Sequence, residues 1–247
     1  MKIESLWTYP VKSCAGIQQQ KVEIEKGGIR WDRNWMIVDE EGQFLTQRQL
    51  PKMAQIQTSL TDTSLILRID NYAFEVPFEK DHHEKRKVKV WKSEVEAWLE
   101  DPLIDRQLSE FLGRPAQLVR SLKSERQHKI HFADSRPIQL ANLDSLKALN
   151  DELSEPITIE RFRPNIVVSG LGAWGEEALT TFKLGPVELE FSKPCIRCNI
   201  INVDPSTGLR KSSEPLEKLK KIHAIDAKPA FGVLLLPKNI GFLVQSY

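Results

Sequence analysis

A chain of 247 residues, 40% of them hydrophobic, can bury one large core or two smaller ones packed together. Its 35 Lys and Arg stand against 34 Asp and Glu, and a net charge of +1 provides no global field to draw the chain onto nucleic acid or acidic lipid. Any anion it takes must therefore be bound locally.

The opening MKIESLWTYP lacks a basic region followed by an apolar run, and the longest apolar runs, such as FGVLLLP, fall far short of a membrane span. The expectation is a soluble, cytoplasmic protein with neither nucleic acid nor membrane as partner. Along the chain, Val22 and Ile24 alternate with polar residues; a Gly-Gly break, an apolar run over 35–38 and an acidic turn ending in Gly42 follow, then Phe44 and Leu45. This predicts a β-meander, which SLILRI, YAFEVPF and KVKVW continue. The charged stretch EKDHHEKRKVKV (79–90) has no interleaved aromatics and reads as a solvated edge strand. In IDRQLSEFLG, Ile104, Leu108, Phe111 and Leu112 share a helical face and Gly113 supplies the stop. NLDSLKALNDEL predicts a second helix capped by Asn142, with Leu143, Leu146 and Leu149 inward. ITIERFRPNIVVSG and VELEFSKPCIRCNIINVD read as strands, DPSTG as a turn, and SSEPLEKLKK as a short helix with Pro215 in its first turn. The class is β-rich α+β.

Cys14, Cys195 and Cys198 are an odd count in a chain too large to need covalent staples, so reduced thiols are expected. Two of them flank an arginine in PCIRC. A dithiol redox motif needs a thiol at a helix N-terminus, but Cys198 leads into NIINV, a strand-forming run. Zinc would have to recruit His128 and His131 of HKIHFAD, which a strand would point to opposite faces. Free cysteines are often small buried hydrophobes, and Arg197 argues against that here. A guanidinium beside a thiol favours the thiolate, which is both a nucleophile and a soft metal ligand. Lys12, Arg33, Arg48, Arg161 and Arg163 also sit beside aromatic or β-branched residues. Each alone reads as a surface charge, but together they predict a basic pocket suited to phosphate and to the edge of a heterocycle.

The motifs YPVKSC, DRNW, LTQRQ, FRPNIVVSG and PCIRCNIINVDPSTG occur in the order found in MOSC-domain proteins. From about Lys2 to Phe231 the chain resembles that family, in the branch of the mitochondrial amidoxime-reducing component and the bacterial hydroxylaminopurine reductases. The resemblance implies a MOSC β-barrel domain (96–247) packed against an N-terminal β-barrel-like module (1–95), with molybdenum cofactor (Mo-molybdopterin) between them. Carried over by position, Cys198 would be the catalytic molybdenum ligand, and Lys12, Ser13, Arg33, Arg163, Asn165 and Arg197 would contact pterin and phosphate. Thr46, Arg48 and Arg161 are weaker candidates.

The implied activity is reduction of N-hydroxylated compounds, hydroxylaminopurines and amidoximes among them, by oxygen-atom abstraction. The implied alternative is a carrier of the cofactor, or a sulfur-transfer protein working through Cys198. Three cysteines cannot hold an iron-sulfur cluster while one ligates molybdenum. Electrons would come from a separate protein, a flavin reductase or a b-type cytochrome system. KNIGFLVQSY stands where the family commonly has a GDxV-like strand, which reads as a divergent or shortened last strand.

Overall fold

The computed structural model describes residues 1–81, 84–122 and 130–245. Strands dominate, with three α-helices among the described residues. The largest sheet runs in the order Thr181–Leu184, Val187–Ile196, Lys228–Pro237, Ile138–Asn142, Ile166–Ser169, Lys2–Thr8 and Ile17–Gln19. Its pairs are antiparallel except for Ile138–Asn142 beside Ile166–Ser169. The first strand of the chain thus lies in the sheet of the C-terminal half, with Lys2 opposite Ser169 and Leu6 opposite Ile166. The reverse exchange also occurs, since Gly241–Val244 pairs antiparallel with Lys21–Glu25. The divergent C-terminal sequence therefore does form a strand, with Leu243 buried opposite Val22.

Only part of the expected meander forms, as Gln57–Leu60, Ser64–Ile69 and Tyr72–Pro77. Lys21–Glu25 pairs instead with Gly28–Ile29 and Gly241–Val244, and Trp35–Val38 and Lys85–Val90 belong to another sheet, because pairing partners distant in sequence claim their edges. Beside the meander stands that sheet, four-stranded, in the order Trp35–Val38, Gln117–Ser121, Ser93–Leu99, Lys85–Val90. Lys85–Val90, the strand within the charged stretch, lies at the edge of that sheet, its exposed lysines alternating with buried Val88 and Val90. Helix Pro102–Leu112 starts on Asp101, whose side chain accepts from the Leu103 N–H, and ends at Gly113 in the left-handed region. Helix Leu143–Asn150 is capped by Asn142, and helix Glu214–Ile222 carries Pro215 in its first turn.

The apolar residues gather in four clusters. One fills the inner face of the large sheet around Leu6, Leu140, Val168 and Leu235. A second packs the meander and helix Pro102–Leu112 around Trp35 and Leu67, and a smaller one joins Met36, Val88 and Phe132. The fourth lies under the other two helices, around Phe162, Leu219 and Phe231. No helix of the described residues is long and apolar enough to cross a membrane.

Two segments depart from the strand expectation. In ITIERF the chain makes a 3-10 turn, Ile159–Phe162, because Ile159 and Phe162, three residues apart, are buried together. Arg163 follows in the left-handed region, and pairing begins only after Pro164, at Ile166. In NIINV, pairing of Val187–Ile196 ends at Ile196 opposite Ala230, and Asn199–Asn202 forms a second 3-10 turn on Cys198. The side chain of Asn202 inside that turn accepts from the Leu216 N–H, tying it to helix Glu214–Ile222.

Candidate functional site

Five segments, distant in sequence, bring the candidate residues to one cavity of about 260 Å³. The loop after Lys2–Thr8 brings Lys12 and Ser13, and the turn before Trp35–Val38 brings Arg33. The loop over 45–50 brings Thr46 and Arg48. The segment before Ile166–Ser169 and the end of Val187–Ile196 with the turn after it bring Arg163, Asn165, Cys195, Arg197 and Cys198. Backbone pairing fixes these approaches: Lys12 N donates to Trp35 O at 2.8 Å, Arg33 N to Tyr9 O at 2.8 Å and Arg197 N to Pro229 O at 2.8 Å. Every residue singled out in the sequence for this pocket lines it except Arg161, which pairs with Asp204 at 3.3 Å.

The lining is strongly cationic. Lys12, Arg33, Arg48, Arg136, Arg163, Lys193 and Arg197 face a single carboxylate among the described residues, Asp134. Two of these cations are compensated. Lys12 pairs with Asp134 and donates to Phe132 O at 2.8 Å. Arg33 pairs with buried Asp32 and also donates to Asn165 Oδ1 and Arg163 O, both at 3.2 Å. Asp32 is the hub of that wall, accepting from Tyr9 N at 2.8 Å and Asn165 Nδ2 at 3.0 Å. Desolvation works to raise the Asp134 carboxyl, yet the Lys12 ammonium and the bonds from Lys12 and Trp91 hold it well below the usual range.

Arg163 and Arg197 differ. Arg163 donates one N–H to Cys14 O at 2.6 Å, and its Nη2 has no partner among the described residues. Burial, followed by the charge of Arg33, pulls its pKa down to about 10, so it remains charged at neutral pH. Arg197 donates to Phe162 O at 2.8 Å and to Cys195 Sγ at 2.9 Å, while its buried Nε has no partner there. Gln139 Nε2 is a third buried donor left unpaired in the lining. An unpaired buried donor is costly, and all three belong to residues that line the cavity.

The thiols are unequal. Burial pushes Cys14 up to about 12, which makes it an inert core residue. Cys195 is buried and occupied by Arg197, whereas Cys198 is exposed at the cavity. The guanidinium between the two cysteines thus engages the first of them. The zinc reading gains nothing: His131 Nδ1 lies 3.0 Å from Ser121 Oγ, His128 falls outside the described residues, and no group of three or more candidate ligands occurs among those described.

Sequence reasoning missed Asp32, Arg136, Gln139 and Lys193. Asp32 and Arg136 stand in the polar stretches WDRNW and SRP, but only their distant partners Asn165 and Ser192 reveal what they do. Lys193, one residue from the PCIRC motif, was the easiest to find.

Comparison with known proteins adds two family matches: a MOSC N-terminal beta barrel domain over residues 1–115 and a MOSC domain over residues 127–243. The chain is 31% identical to mitochondrial amidoxime reducing component 2 of Rattus norvegicus, over 98% of this chain and 80% of that protein. It is 29% identical to mitochondrial amidoxime-reducing component 1 of Homo sapiens, over 97% of this chain and 79% of that one. It is also 27% identical to a molybdenum cofactor sulfurase of Oryza sativa subsp. japonica, covering 96% of this chain and 33% of the sulfurase.

Proposed function

The chain belongs to the MOSC-domain family, and we propose that it is a molybdenum-cofactor-dependent reductase of N-hydroxylated compounds such as hydroxylaminopurines and amidoximes. The observation that carries this reading is the juxtaposition of one exposed thiol with buried, unpaired cationic donors in a single cavity. The donor set fits the cofactor, whose phosphate and pterin edge present acceptors and whose metal is soft enough to favour sulfur. Likeness to amidoxime-reducing components supports the choice of substrate class.

When bound, the cofactor would supply two-electron removal of oxygen from an N–OH group, with two electrons and two protons restoring it. The chain's residues would do the rest. Cys198 would hold the metal through its thiolate. Arg163, Arg197 and Gln139 would donate to phosphate and pterin, and Arg33, Lys12, Ser13 and Asn165 would shape the wall that receives them. Electrons would arrive from a separate flavin reductase or b-type cytochrome system. The test is metal and pterin analysis of the purified protein, followed by reduction of 6-hydroxylaminopurine. Turnover is expected with a reduced viologen dye and absent with NADH or NADPH alone. Steady turnover with NADPH and no second protein refutes the separate donor.

A second reading, a cofactor carrier or a sulfur-transfer protein, draws on the exposure of Cys198 and the likeness to molybdenum cofactor sulfurase. Full molybdenum occupancy without turnover on reduced dye would select it.

A further inference from the structure

We infer that Tyr9 is a positioning residue that sets the two arginines Arg33 and Arg163 for anion binding, an inference that rests on the cofactor reading above. Both guanidinium groups lie over its ring, 4.6 Å and 4.3 Å from the centroid. Two like charges this close would otherwise move apart, and the negative face of an aromatic ring attracts each of them. Arg33 (φ 51°) and Arg163 (φ 55°) both adopt the left-handed backbone, which is costly outside glycine and directs both side chains to this one ring.

The ring itself is held on several sides. Tyr9 is buried, its N–H donates to Asp32, and its carbonyl accepts from the Arg33 N–H. Trp7 stacks at 6.3 Å. Gly16 packs so closely that a Cβ there would stand 2.4 Å from the ring, so residue 16 must be glycine for the ring to sit as it does. The hydroxyl contributes nothing to this arrangement: it is buried with no partner among the described residues, and burial pushes its pKa upward, so it stays a neutral phenol. What Tyr9 supplies is a π face.

The experiment measures inorganic phosphate affinity by calorimetry and pterin content after cofactor loading, with thermal unfolding as the control for folding. Tyr9→Phe keeps the ring and removes an unpaired hydroxyl, so it should bind within about threefold of wild type and melt no lower. Tyr9→Leu should lose about tenfold or more in phosphate affinity. Fluorinated phenylalanines at position 9 drain the ring's π face with little change of shape. Phosphate affinity should fall stepwise along that series, an effect packing alone would not produce, and this series decides the matter if Tyr9→Leu does not fold. Unchanged affinity in a folded Tyr9→Leu, or across the fluorinated series, overturns the inference and leaves the cofactor reading standing. Wild-type protein that takes up neither phosphate nor pterin overturns the cofactor reading and this inference with it.

Discussion

The cations of the cavity carry the same kind of charge in two opposite states. On one side of this division Lys12 and Arg33 have carboxylate partners in Asp134 and Asp32 and spend further hydrogen bonds on backbone oxygens. On the other, Arg163 and Arg197 have backbone and sulfur acceptors, no carboxylate among the described residues, and one buried donor each without a partner. A paired buried cation is part of the scaffold, because removing it strands its partner. An unpaired one is a binding group held ready, since its desolvation has been met by the fold and its remaining donors await an acceptor. Motif position alone treats the four as equivalent, and their partners separate them.

The largest expected effect is at the thiols. Cys198→Ser should lose essentially all molybdenum and activity, because a hydroxyl is a harder and far less acidic donor. Cys195→Ser should be mild, since a serine oxygen can still accept from Arg197. Metal analysis of both variants checks this, and equal loss in the two would mean that both sulfurs hold the metal.

Next come the arginines. Arg163→Lys keeps charge but loses the planar fork, and should lower cofactor or phosphate affinity about tenfold or more. Arg33→Lys should instead lower unfolding free energy by about 1–3 kcal/mol, with a smaller effect on affinity, because Asp32, Asn165 and the Arg163 carbonyl lose a shared donor. Chemical denaturation alongside calorimetry would show whether the two effects separate; identical profiles would erase the distinction between paired and unpaired arginines.

Asp134→Asn should take the carboxylate from Lys12 while its bond to Phe132 O stays. Phosphate affinity is expected to rise about threefold at low salt and less at high salt. The folded Asp134 carboxyl lies below its unfolded value, so its contribution to stability is present above the unfolded pKa and is lost as pH falls through the folded one. The variant should therefore show a shallower loss of stability on acidification.

The smallest effect lies far from the cavity, at Asp105. Burial raises its carboxyl to about 6 despite bonds from the Leu118 N–H and Gln117. With the folded pKa above the unfolded one, stability is fully present below about pH 4 and declines as pH rises to about 6. Asp105→Asn should remove that slope, gaining on wild type through this window in pH-dependent denaturation, and leave phosphate binding unchanged.

Elements governed by local rules were legible in the sequence. The alternation in SLILRI and YAFEVPF, the Asn142 cap and the Gly113 stop depend on near neighbours, and they appear as read. The two 3-10 turns were not legible, because four β-branched or aromatic residues carry the same composition in a strand as in a tight turn. The pocket cations could be gathered by motif, but Asp32 and Gln139 acquire meaning only through contacts far along the chain. Which arginine is paired is a property of the tertiary structure.

The exchange of terminal strands also governs when the cavity can exist. Lys2 meets Ser169, and Lys21 meets Val244, so both sheets close only through pairings of very long sequence separation. Such topologies fold slowly, since loop-closure entropy must be met before the contacts that reward it. On a ribosome Lys2–Thr8 can pair at once with Ile17–Gln19, but its other edge waits until Ile166–Ser169 has emerged. A cavity lined by residues from Lys12 to Leu234 can form only once that whole span has emerged, and a nascent chain is exposed to aggregation until then.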